Sequence, residues 1–196
     1  MTTSIKLQEG RGITDFLYNK VRTIADSVLK PDPSINKLMK GEKHGILSLP
    51  SGKFAYAQYL GPGTKVNIRV SRGEMGLTPI DTAAKGHDLR YRLIATDARN
   101  SDEARMLARK ADLKFNSVID KLKRTKKDSL FNLKQAELIK AKVFLEKKST
   151  LFHKLSSSYT ANEDEDDDAI TKKYRKTLKS LEQKGYGFSY TRIKLL

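Results

Sequence analysis

One histidine and two aspartates are spaced in this chain as an acid–base site requires. His87 and Tyr91 lie four positions apart, so on a helix they stand one above the other on one face. Asp88 follows His87 directly and points about a quarter-turn away. Such a pair can serve two sites at once, the imidazole as a general base and the carboxylate as a cation ligand. Asp112 stands beside Ala111 and three residues before Phe115, at the edge of an apolar stripe. A buried carboxylate there needs partners, which a facing imidazole and phenol would provide. An aspartate so placed fixes the imidazole tautomer and steadies the imidazolium. The loop Tyr59-Leu60-Gly61-Pro62-Gly63-Thr64 adds a third part. Its glycines let the backbone turn and expose carbonyl oxygens. Carbonyls joined to a carboxylate are the hard-oxygen set that suits calcium, and calcium there would polarise an ester carbonyl and stabilise its oxyanion. Each part alone has a plainer reading: a chance His-Asp dipeptide, an ordinary Gly-Pro-Gly turn, a surface acid, a core tyrosine. Their joint occurrence, in order and with compatible helical phases, favours the chemical reading.

These side chains need rigid supports, and the surrounding pattern supplies them. Thr78-Pro79 opens a helix, threonine as N-cap and proline at the first helical position. Ile80, Ala83, Ala84, His87, Tyr91 and Ile94 share one of its faces through about residue 95. Ser101 caps a second helix that begins with Asp102-Glu103 and carries the stripe Ala104, Leu107, Ala108, Ala111, Phe115, Val118 and Leu122. Upstream, residues 44–58 read as a short hairpin whose turn is Pro50-Ser51-Gly52-Lys53, with His44 at the surface or in a turn. Residues 65–77 are basic and glycine-containing, and Val66, Ile68 and Val70 alternate as in a strand. Ile13, Phe16, Leu17, Val21, Ile24 and Val28 recur at helical spacing over 12–29, a packing face in the first instance and a membrane-surface face in the second. Lys30-Pro31-Asp32-Pro33 ends that helix.

Composition sets limits on partners. Hydrophobic residues make up 38% and charged residues 32%, so the core is modest for 196 residues. There is no cysteine, which excludes disulfides and thiolate metal sites, and three scattered histidines argue against zinc. No run approaches the roughly 18 apolar residues of a spanning helix. The opening Met-Thr-Thr-Ser-Ile-Lys lacks an apolar signal core, so signal-directed secretion is not expected. The net charge is +16, yet residues 163–168 hold six of the 23 acids; the rest of the chain sets 39 bases against 17 acids, a balance of +22. Such a surface attracts nucleic acid or anionic lipid headgroups, and charge alone does not choose between them.

The series Tyr59-Leu60-Gly61-Pro62-Gly63, Asp81, His87-Asp88-Leu89-Arg90-Tyr91 and Ala111-Asp112-Leu113-Lys114-Phe115 resembles the phospholipase A2-like domain of parvovirus and insect densovirus minor capsid proteins. The resemblance covers roughly residues 54–122. It implies that His87 deprotonates a water that attacks the sn-2 ester of a glycerophospholipid. Asp112 would orient His87, and Tyr91 would hydrogen-bond Asp112. Asp88 and the carbonyls of Tyr59, Gly61 and Gly63 would bind calcium, and the Gly61 N–H would assist at the oxyanion. It further implies a virion-associated enzyme that releases fatty acid and lysophospholipid and breaches the endosomal membrane during entry.

The expected fold is mainly α: two antiparallel catalytic helices with a calcium-binding loop and a small β-hairpin, plus flanking helices. The expected organisation is a helical extension at 1–40, the phospholipase-like domain at 41–125, a helical extension at 126–148 after the basic run Lys121–Lys127, an acidic flexible linker at 149–169, and a basic tail at 170–196 that holds a basic helical piece at 170–184 and the aromatic segment 186–190. The expected partners are a phospholipid surface and, through the basic flanks, capsid proteins or viral nucleic acid. A competing reading keeps the helix pair as an inactive scaffold in a nucleic-acid- or capsid-binding structural protein. A third makes the chain a helical structural protein in which the motif match is accidental.

Overall fold

The computed structural model describes residues 23–137 and 167–186. Within them the protein is mainly helical, with one two-stranded antiparallel sheet. In chain order come a helical stretch at 23–29 (α1), strands β1 (Ile46–Ser48) and β2 (Phe54–Tyr56), and helices α2 (Val66–Ser71), α3 (Pro79–Asp97) and α4 (Ser101–Arg124). A helical stretch at 130–137 (α5) and helix α6 (Asp167–Gln183) complete the set. The expected helix before residue 23, the helix and linker over 138–166 and the tail beyond Tyr186 lie outside the described residues.

Helix α3 forms where its start signals stand. The Thr78 side chain accepts from the Asp81 N–H, and Pro79 occupies the first turn. A free N–H of that turn, on Ile80, donates to Asp128 Oδ2 at 2.7 Å, which also sets a negative charge against the positive end of the helix dipole. A three-residue connection then reverses the chain into α4. The N-cap of α4 is Asn100, not Ser101: its side-chain oxygen accepts from the N–H groups of both Asp102 and Glu103. Asparagine reaches two donors with one carbonyl oxygen, which leaves Ser101 as the first helical residue.

The two helices run antiparallel, the start of one beside the end of the other. Ile80, Ala83 and Ala84 pack with Phe115, Val118, Ile119 and Leu122, while Tyr91 and Ile94 pack with Ala111 near the connection. The hairpin closes the far side of this core through Leu47 and Ala57. Its register pairs Ile46 with Tyr56 and Ser48 with Phe54, and Gly52 takes the positive φ of 79° that the turn demands. Helix α5 locks the hairpin in place, since Asn132 both donates to the Ser48 carbonyl (2.9 Å) and accepts from its N–H (2.8 Å).

Several sequence expectations are corrected. Val66–Ser71 is a helix, not a strand. Only Val66 and Val70, four apart, face the core, and Ile68 is exposed, so helical period overrides the apparent alternation. His44 is not at the surface but 2% exposed. Ile24 and Val28, the part of the 12–29 stripe inside the described residues, are both exposed. Asp167 and Asp168, read as linker, begin α6. The basic helical piece expected at 170–184 is helix α6, and it packs: Tyr174, Leu178 and Leu181 bury against Leu89 and Leu93 of α3 and Val66 and Val70 of α2. Each such apolar side chain contributes about 1.5–3 kcal/mol before the entropy of ordering. With α4 on one side and α6 on the other, α3 is buried on every residue from Ile80 to Tyr91. The helix is thus buried on all sides with its polar residues Asp81, Lys85, His87, Asp88 and Arg90 included, whereas the pattern disclosed one apolar face.

Candidate active site

The antiparallel pair brings His87, Tyr91 and Asp112 together. His87 Nε2 lies 2.7 Å from Asp112 Oδ1, and the Tyr91 hydroxyl donates to the same oxygen at 2.8 Å. All three groups are buried, with Asp112 1% exposed. The phenol and the imidazole tilt against each other with ring centroids 4.6 Å apart, and Phe115 contacts the imidazole from α4 at 5.2 Å. A carboxylate can only accept, so His87 donates through Nε2, and Nδ1 is its remaining nitrogen. Nδ1 faces Asp88 Oδ1 at 3.5 Å. Burial alone would lower the His87 pKa; the hydrogen bonds to Asp112 and Asp88 and their charges outweigh it and hold the pKa above the ordinary histidine value.

Asp88 is 5% exposed, and its Oδ2 is buried with no hydrogen-bond partner. The carboxylate also lies near enough to His44 and Tyr59 to bias the titration of both.

The loop is held by buried polar groups. Asp81, fully buried one turn into α3, accepts from the N–H groups of Gln58, Tyr59, Leu60 and Leu77 at 2.8–3.0 Å. The three bonds from Gln58, Tyr59 and Leu60 anchor the loop to the helix that carries His87, and the one from Leu77 braces the start of that helix. Gly61 has φ 150° and Gly63 φ 81°. A Cβ at Gly61 would meet His44 Cα at 2.5 Å, and one at Gly63 would meet the Gly41 carbonyl at 2.6 Å. No larger residue fits either position. The Gly61 N–H has no partner among the described residues.

Beneath the loop lies a network that sequence reasoning missed. Arg69, 1% exposed, makes a two-pronged pair with Glu42, from Nε at 2.9 Å and Nη2 at 2.6 Å. Glu42 also accepts from the backbone of Met39 and Lys65. Arg69 continues to Glu74 at 2.6 Å. The Glu74 carbonyl in turn accepts from the Tyr59 hydroxyl and from buried Lys85, whose pKa burial lowers to about 8. His44 Nδ1 lies 2.7 Å from the Ala57 carbonyl, and Nε2 lies 3.2 Å from the Thr64 hydroxyl. Burial holds the His44 pKa below its ordinary value, so the ring is neutral near pH 7. No local signal marks these partners, because 27 residues separate Glu42 from Arg69.

Among the described residues no group of three His, Cys, Asp or Glu side chains can hold a metal. A cation at this loop must therefore take backbone oxygens beside Asp88. The residues fit such an ion: a buried carboxylate oxygen lacks a partner, and the Tyr59 and Gly61 carbonyls converge within 3.3 and 3.1 Å of one hydroxyl. No helix among the described residues is long and apolar enough to cross a membrane. No protein-family model, no curated protein and no solved structure matches the chain.

Proposed function

We propose that this protein is a calcium-dependent phospholipase A2-like hydrolase that cleaves the sn-2 ester of glycerophospholipids. One observation carries the reading: Asp112 Oδ1 takes hydrogen bonds from both His87 Nε2 and Tyr91, which leaves His87 Nδ1 as the basic atom beside Asp88. That pairing supports reading α3 and α4 as the two catalytic helices.

In this mechanism His87 Nδ1 takes a proton from a water whose oxygen attacks the ester carbonyl carbon. Asp112 steadies the imidazolium through Nε2–H, and Tyr91 keeps the carboxylate in place. Collapse of the tetrahedral species breaks the acyl–oxygen bond. The proton on Nδ1 passes to the departing glycerol oxygen, giving a lysophospholipid and a fatty acid. The Gly61 N–H would donate to the developing oxyanion. Asp88 and the carbonyls of Tyr59, Gly61 and Gly63 would hold calcium, which when bound supplies positive charge next to the ester oxygen. Lys172, Lys173, Arg175, Lys176 and Lys179 are exposed on α6 and would draw the protein to anionic headgroups. Virion association and breaching of an endosomal membrane belong to the same proposal.

The same lysines favour a second reading, a polyanion-binding protein on an inactive scaffold, with nucleic acid or capsid proteins as partners. One assay separates the two. Vesicles of anionic phospholipid are incubated with the protein in calcium and in chelator, and again with His87→Ala. Fatty-acid release that needs both calcium and His87 supports the hydrolase. Equal release by the parent and His87→Ala rejects it, and salt-sensitive nucleic-acid binding then favours the second reading.

A further inference from the structure

Thr64 and His44 have no role in the site described so far. Thr64 Oγ1 lies 3.1 Å from the Gly61 carbonyl, 3.3 Å from the Tyr59 carbonyl and 3.2 Å from His44 Nε2. Thr64 is 4%, His44 2% and Tyr59 1% exposed, and Gly61 is half-buried. The Ala57 carbonyl at 2.7 Å can only accept, so His44 Nδ1 carries the proton and Nε2 is bare. The Thr64 hydroxyl therefore faces three acceptors with a single proton. Nothing else among the described residues donates to the two carbonyls. The Tyr59 carbonyl and His44 Nε2, both on buried residues, compete for that proton, and a positive charge beside the carbonyl would relieve the competition.

We infer that Thr64 Oγ1 is a cation ligand, and that His44 is a positioning residue that takes the Thr64 proton and turns the hydroxyl lone pairs toward the ion. This rests on the cation site of the proposed hydrolase. With His44 as acceptor, three oxygens (Tyr59 O, Gly61 O and Thr64 Oγ1) present only lone pairs to one another. Calcium takes six to eight oxygens at about 2.4 Å, and neighbours in such a shell subtending about 80–90° lie roughly 3.1–3.4 Å apart. The observed separations from Thr64, 3.1 and 3.3 Å, match that spacing. Coordination number points the same way. Three carbonyls and both oxygens of Asp88 would give at most five of the roughly six to eight oxygens that calcium takes, which leaves room for Thr64 beside water.

The test is calorimetric titration of the full-length chain with calcium chloride alone, alongside circular dichroism of each variant. Thr64→Val is expected to fold and to bind calcium about tenfold or more weakly, with a smaller calcium-induced rise in Tm. Thr64→Ser, which keeps the hydroxyl, is expected to stay within about threefold of the parent, well short of the loss typical when a metal-site partner is removed. His44→Gln is expected to weaken binding in the parent but to add nothing in the Thr64→Val background, since it acts through that hydroxyl. Parent-like affinity in Thr64→Val overturns the assignment, as does an equal loss in Thr64→Ser. The outcomes stay separable from those of the vesicle assay. Thr64-independent calcium binding with intact fatty-acid release sinks this assignment and leaves the hydrolase. Thr64-dependent binding without release sinks the hydrolase and leaves this assignment.

Discussion

The helix pair and the glycine loop meet at one site but are built in opposite ways. His87, Tyr91 and Asp112 ride on regular helices whose own backbone bonds fix their phase, and their contacts form as soon as α3 and α4 pack. The loop has no internal ladder. Its shape comes from Asp81, Glu42, Arg69, His44 and Thr64, side chains that satisfy its backbone groups from several directions. Damage to the helix pair should therefore remove chemistry and leave the fold, whereas damage under the loop should cost stability and cation binding together.

Four predictions sharpen or break that contrast. The largest effect is expected from His87→Ala, a loss of fatty-acid release on the order of 10³-fold, with far-ultraviolet circular dichroism unchanged. Loss of helical signal would place His87 among the structural residues and erase the distinction. Next comes Glu42→Gln, which takes one of its two carboxylate partners from buried Arg69 and leaves Glu74, and should cost roughly 2 kcal/mol of unfolding free energy in urea titration. A cost below about 1 kcal/mol, typical of a surface pair, would show that the loop does not depend on this pair. Tyr91→Phe removes one hydrogen bond from Asp112 and should lower kcat by about threefold to tenfold, with stability reduced by about 1 kcal/mol.

The smallest effect concerns pH. His87 has its pKa raised in the folded protein, so its stabilising contribution is fully present below the unfolded value near 6.5 and is lost as pH rises through the folded pKa. The difference in Tm between the parent and His87→Gln should shrink across that window. Activity should move the other way and rise through the same pKa, because only neutral imidazole accepts a proton. An activity profile that falls across that window would remove His87 as the base.

The legible parts of the sequence were those with a period or a cap. The five positions of His87-Asp88-Leu89-Arg90-Tyr91 specify a helical face once Thr78-Pro79 starts the helix, and the Pro50–Lys53 turn specifies the hairpin. Asp112 was readable as an acid at the edge of an apolar stripe. What misled was local pattern without context: three alternating β-branched residues form the helix α2, and a histidine in a polar stretch proved to be core.

The sequence by itself determined the helical phases, the glycines of the loop, and which residue types are present for the proposed roles of base, orienter and cation ligand. Those properties depend on near neighbours in the chain. Only the tertiary structure decided that α6 walls the far face of α3, that Glu42 and Arg69 pair beneath the loop, and that one hydroxyl proton is shared among three acceptors. The reason is that burial and hydrogen-bond satisfaction depend on which distant groups arrive in the same space, and no spacing along the chain encodes that.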